Sequence, residues 1–182
     1  MKYDASKIKN VAFAGHSDSG KTSLVEALLF KLKATDRLGK IASGNTVCDF
    51  DPEEIKREVS ISTAVAPIEF GGVKINILDT PGLFDFAAGF YEGVRAAESV
   101  LIAVSGKDGV TVGAEKAVKL ARDSQKALMF FISKMDMENV DFYKAFEDMQ
   151  AAFGSSLCPI VIPYVENHRV KCYIDLVEMK AY

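Results

Sequence analysis

One octapeptide limits this chain more than any other feature: Gly15-His16-Ser17-Asp18-Ser19-Gly20-Lys21-Thr22. It fits G-x-x-x-x-G-K-[ST] at every fixed position. Glycines at its first and sixth places let the backbone curl so that successive N–H groups face one point, as phosphate oxygens require. Such a loop needs a strand before it and a helix after it. Residues 8–14 (IKNVAFA) form a short apolar, β-leaning run, and 21–32 carries helix formers with apolar spacing at Leu24, Ala27 and Leu28. The helix would add its positive N-terminal end to the loop. At average composition roughly 4 windows per 100,000 match by chance, and far fewer of those lie between a strand and a helix. The expected nucleotide contacts run from Gly15 through Ser23. Lys21 is placed to reach the outer phosphates, and the Thr22 hydroxyl to ligate Mg²⁺. The loop alone does not choose between ATP and GTP, or between a kinase and a hydrolase.

Strands and helices alternate along the rest of the chain, which predicts an α/β fold with a mostly parallel sheet flanked by helices. Residues 62–70 and 73–79 flank Gly71-Gly72, a hairpin signal. The spacing predicts helices over 86–97, 113–123 and 140–153, with strands at 100–104 and 127–132. Phe142, Phe146 and Phe153 fit a helical core face. Residues 33–60 are polar and without strong period, so they are expected to be a long loop of the functional or mobile kind. The charged run 53–58 reads as a solvated face.

Net charge is −3 over 182 residues, which argues against broad phosphate contact and against DNA as a partner. Cys48, Cys158 and Cys172 are far apart and form no C-x-x-C pair. Neither a disulfide framework nor a zinc site is suggested, and a reducing cytoplasm is the expected location. The first ten residues lack the apolar stretch of a leader, and runs such as 127–132 are too short to cross a bilayer.

Two further elements carry chemistry. Asp79-Thr80-Pro81-Gly82 closes the apolar run Ile75-Asn76-Ile77-Leu78. A carboxylate there, beside a phosphate loop, can hold Mg²⁺ through water, and Gly82 can bring a backbone N–H close to a terminal phosphate. Ser133-Lys134-Met135-Asp136 follows the strand at 127–132. Asp136 there would accept from guanine N1–H and the 2-amino group, donors that adenine lacks. A mismatched base would leave that carboxylate unpaired.

With these three elements in order, the chain resembles the G domain of elongation factor G and its close paralogues among the translational GTPases. Residues 49–61 (DFDPEEIKREVSI) resemble the family's acidic stretch leading into Arg-Gly-Ile-Thr-Ile. Residues 79–86 (DTPGLFDF) resemble DTPGHVDF. Ser133-Lys134-Met135-Asp136 resembles NKMD, and 174–181 (IDLVEMKA) resembles VVDLVKMKA, which opens that factor's inserted subdomain. The resemblance implies a P-loop NTPase fold, GTP or GDP with Mg²⁺ as cofactors, and the ribosome as partner of a monomeric factor. It implies Thr22, Ser60 and Asp79 (through water) at the metal, and Asp18 beside a monovalent cation. It implies a G-domain core at 1–157 and the start of the insert at 158–182. It further implies that the family's last strand and helix, with a Ser-Ala loop after that strand, lie outside this chain, so that nucleotide binding is weak. Gly154-Ser155-Ser156-Leu157 is no substitute for that loop, because it precedes its neighbouring strand at 159–163.

Three departures qualify the expectation. Leu83 stands where the family has its water-positioning histidine, so no residue is assigned as catalytic and hydrolysis is expected to be slow or dependent on a partner. Ser133 replaces an asparagine and is expected to loosen the base pocket. Glu58 replaces a glycine, and the backbone there is expected to differ. The leading function is a ribosomal GTPase working in translocation or ribosome recycling. The alternative is a GTP-dependent binding switch with little hydrolysis. An ATP-using kinase or ATPase leaves 133–136 unexplained. Among the remaining residues, His16 reads as loop filling and His168 as an exposed turn, while Phe84, Phe86, Phe90 and Tyr91 read as packing.

Overall fold

The computed structural model describes residues 3–166 and 169–182. The expected exposed turn at His168 lies outside them. Five strands form the main sheet in the order β2-β3-β1-β4-β5: β1 is Ile8–Ala14, β2 Ala64–Phe70, β3 Val73–Asp79, β4 Ser99–Ser105 and β5 Ala127–Ser133. All neighbours are parallel except β2 and β3, the hairpin turned by Gly71-Gly72. Alternation along β1 divides the core. Ala12 and Ala14 face α3 (Ala87–Ala96), α4 (Val112–Asp123) and α5 (Phe142–Phe153), while Phe13 faces α1 (Lys21–Lys31). Helices on both faces of a parallel sheet leave the carboxyl ends of the strands as the place where loops from β1, β3 and β5 converge.

Four expectations are corrected. The stretch 33–60 is not irregular throughout, because it contains a short helix, α2 (Pro52–Arg57). Asp51 caps it by accepting from Glu53 N at 2.8 Å, and Glu54 accepts in return from Asp51 N at 3.1 Å. This is a capping box with proline in the first turn, and its charges masked the signal. On α5 the buried stripe is Ala145, Met149 and Phe153, whereas Phe142 and Phe146 are half-buried and stack on each other at 6.1 Å. Stacking covers part of the apolar surface that burial would otherwise cover. The strand expected at 159–163 is β6, Val161–Glu166, extended by pairing with β7 (Arg169–Asp175). The backbone at Glu58 also departs from expectation, in the direction described below.

Strands β6, β7 and β8 (Lys180–Ala181) make a second, antiparallel sheet. Tyr143 on α5 ties it to the main body by donating to the Pro163 carbonyl at 3.1 Å. No helix among the described residues is long and apolar enough to cross a membrane.

Candidate nucleotide-binding cleft

The loops leaving β1, β3 and β5 border one cleft of about 1150 Å³, walled by Ser17, Lys21, Thr22, Gly82, Lys134 and Asp136 among others. Its size is on the scale of small-molecule sites.

The phosphate loop is fixed by close backbone approaches. Gly15 has φ +136°, and a Cβ there would lie 2.5 Å from the Ala103 carbonyl oxygen, so no other residue fits. Lys21 opens α1, yet only 6% of it is exposed. Its ammonium donates to the carbonyls of His16 at 2.7 Å and Gly15 at 3.2 Å. Burial pulls it down to about 8, while the carboxylates of Asp79, Asp49 and Asp18 hold it up in part. A buried ammonium held by neutral carbonyls gains by exchanging them for anionic oxygens.

Four oxygen-bearing side chains meet beside it. Thr22 Oγ1 donates to Asp79 Oδ2 at 2.7 Å and lies 3.4 Å from Ser60 Oγ. Ser60 donates to Asp49 Oδ1 at 2.7 Å. Asp79 is almost wholly buried, and its Oδ1 has no hydrogen-bond partner among the described residues. Burial raises its carboxyl to about 6, against the lowering effect of the Thr22 bond and the Lys21 charge. Burial, with Asp79, Glu26 and Asp49 nearby, pushes the Cys48 thiol up, so it stays protonated. Among the described residues no three His, Cys, Asp or Glu side chains are placed to hold a metal. The cluster is instead two carboxylates with two hydroxyls, a set of hard oxygen donors suited to Mg²⁺. Asp49 was missed by the reading of the sequence, where it is one acid among several in a stretch without period.

The loop after β3 presses onto the phosphate loop. A Cβ on Gly82 would lie 2.5 Å from Ser17 N and 2.6 Å from Lys21 Nζ, so only glycine permits the contact. Thr80 anchors the turn by donating to the Phe13 carbonyl at 2.7 Å. Leu83 follows, half-buried, with no side-chain group able to hydrogen-bond. Phe84 then packs 5.9 Å from the His16 ring, under the Lys116 ammonium at 3.8 Å.

The loop after β5 is built differently. Ser133 is buried, and its hydroxyl donates to the Ser19 carbonyl at 2.7 Å. The short side chain thus still braces the phosphate loop, because Gly20 brings that loop close enough for a Cβ on it to lie 3.3 Å from Ser133 Cβ. Lys134 pairs with Asp18 at 2.7 Å across the cleft. Asp136 and Ser23 are exposed. Glu58, at the end of α2, adopts φ +55°, the left-handed conformation that glycine favours. The path of the backbone is therefore one that glycine would take, occupied by a residue that is strained in it.

A mostly parallel sheet with a phosphate loop after its first strand, an Asp-Thr-Pro-Gly turn and a Ser-Lys-Met-Asp loop after an edge strand define a P-loop domain of the G-domain type. The family described as the elongation factor Tu GTP binding domain matches residues 6–179, and the chain belongs to it. It is 35% identical over 156 residues, 86% of its length, to the elongation factor G-like protein of Mycobacterium tuberculosis, covering 22% of that protein. It is 31% identical over 175 residues, 96% of its length, to elongation factor G of Granulibacter bethesdensis, covering 25% of it. A crystal structure of a Thermus thermophilus protein overlays 98% of this chain and 27% of its own with a TM-score of 0.91 and 36% identity. The bacterial selenocysteine-specific elongation factor EF-Sec overlays 83% of this chain and 23% of its own with a TM-score of 0.63 and 27% identity. The chain thus spans 22 to 25% of the length of these two curated relatives.

Proposed function

We propose that this domain binds GTP and GDP with Mg²⁺ and hydrolyses GTP as the switch domain of a cytoplasmic, monomeric, elongation factor G-like factor acting on the ribosome. The observation that carries the reading is the buried set Lys21, Thr22 and Asp79 with the half-buried Ser60 beside it, Asp79 Oδ1 being left without a partner among the described residues. A buried carboxylate oxygen is costly unless something meets it, and a hydrated divalent cation is what these oxygens fit. When bound, Mg²⁺ neutralises phosphate charge. Thr22 and Ser60 supply its hydroxyl ligands, and Asp79 holds it through water. Lys21 and the N–H groups of residues 15–23 hold the phosphates, and Gly82 offers its N–H to the last of them. Asp136 reads guanine, while Ser133 and Lys134 fix the loop that carries it. The names of the relatives, elongation factor G among them, support the translational role. The separate sheet of β6 to β8 supports reading 158–182 as the start of an inserted subdomain.

Leu83 cannot orient an attacking water, so intrinsic hydrolysis is slow and a partner supplies the missing group. GTP hydrolysis by the longest native product of the gene, with and without ribosomes, tests this. Strong stimulation by ribosomes supports the reading. Tight GTP binding without turnover in either condition favours a second one, a binding switch with little hydrolysis, which Leu83 also favours.

A further inference from the structure

Glu54 lies in a run of charges on a short exposed helix, where solvation is the ordinary fate. It is instead 2% exposed. Among the described residues it makes no ion pair. Its carboxylate is met by backbone amides alone. One oxygen takes Asp51 N at 3.1 Å, and the other takes Ile61 N at 2.9 Å and Ser62 N at 3.1 Å. A buried carboxylate left without donors is strongly unfavourable, so these bonds fix both α2 and the turn at 60–62.

The two amides directly follow Ser60, whose hydroxyl sits 2.7 Å from Asp49 Oδ1 and 3.4 Å from Thr22 Oγ1. We infer that Glu54 is the positioning residue of the switch: by holding the Ile61 and Ser62 amides it keeps the Ser60 hydroxyl in the cation cluster, and so sets the preference for GTP over GDP. This rests on the proposed nucleotide and Mg²⁺ site. Withdrawal of Ser60 from the cluster strips the Ile61 and Ser62 amides from a buried carboxylate, so Glu54 opposes that withdrawal. Glu54→Gln keeps the size of the side chain, but it presents an NH₂ to one set of N–H donors, and like Glu54→Ala it weakens the clamp.

The test uses the 182-residue chain with fluorescent GTP and GDP analogues, in Mg²⁺ and in EDTA. Glu54→Gln and Glu54→Ala should lower GTP affinity in Mg²⁺ by about tenfold while changing GDP affinity by less than about twofold, the scale of losing charge-assisted bonds on one state only. Ser60→Ala should give the same selective loss. The double variant Glu54→Ala/Ser60→Ala should be no worse than Glu54→Ala alone, because both act through one hydroxyl. In EDTA the selective loss should vanish. Equal losses of GTP and GDP, or additive losses in the double variant, give Glu54 a merely structural role and overturn the inference. A wild-type chain that binds neither nucleotide overturns the proposed site itself, and the inference with it.

Discussion

The two ends of the cleft are built to different standards. At the phosphate end Lys21, Thr22 and Asp79 are buried, hydrogen-bonded and flanked by glycines that admit no side chain. At the base end Asp136 stands in solvent, and Lys134 is engaged with Asp18 across the opening. Strand β5, which carries that loop, is the edge of the main sheet. A site rigid at one end and open at the other fixes charge first and chemical identity second. In the proposed reading, phosphate affinity is stored in the fold, whereas base selectivity depends on a side chain that the ligand itself must order.

The sharpest way to break this comparison is to remove the buried amine. Lys21→Ala should weaken GTP and GDP alike by about 100-fold or more, since one charge-assisted partner of the phosphates is lost from a dry site. Equilibrium titration checks it, and an unchanged affinity contradicts a phosphate-first site. Asp136→Ala should leave GTP binding reduced and ATP binding unchanged, so the discrimination falls by about 10- to 100-fold. Competition between the two nucleotides measures that ratio.

A smaller effect separates the ends by pH. The Asp79 carboxyl is raised from 3.8 to about 6, so the folded protein keeps a proton that the unfolded chain has lost. The stability due to this group is full below the lower value and declines as pH rises from 3.8 to about 6. Cation binding needs the ionised form, so Mg²⁺-dependent GTP affinity should fall by about tenfold per pH unit once pH drops well below 6. Asp79→Asn should abolish that step, and a profile that stays unchanged in the variant assigns the titration elsewhere. The smallest change concerns Glu58, strained at φ +55°. Glu58→Gly should stabilise the fold by about 0.5–1 kcal/mol, seen as a melting temperature a few degrees higher.

Much of this was readable from the sequence where chemistry and period agree. Ile8–Ala14 and Val73–Asp79 have the bounds expected from their apolar runs, because the loop glycines and the Gly71-Gly72 turn mark their ends. Gly82 was legible as a close approach, and the structure gives it no room for a Cβ. Asp49 and Glu54 were not legible. Glu54 lies in the run 53–58 that reads as solvated and Asp49 in a stretch without period, and beside contacts three residues away their partners include groups 7 to 11 residues onward. The local pattern does not encode those longer contacts. The short side chain of Ser133 implies a looser base pocket, but its hydroxyl bond to the Ser19 carbonyl is not legible, because it depends on the glycine-rich loop coming to it.

The measurement that bears most directly on a phosphate-first, guanine-reading cleft is an equilibrium titration of the chain with GTP, GDP and ATP, in Mg²⁺ and in EDTA. GTP and GDP should bind in Mg²⁺ about 100-fold or more tightly than ATP, and chelation should weaken GTP most. ATP binding as tightly as GTP, or GTP affinity indifferent to Mg²⁺, would contradict it.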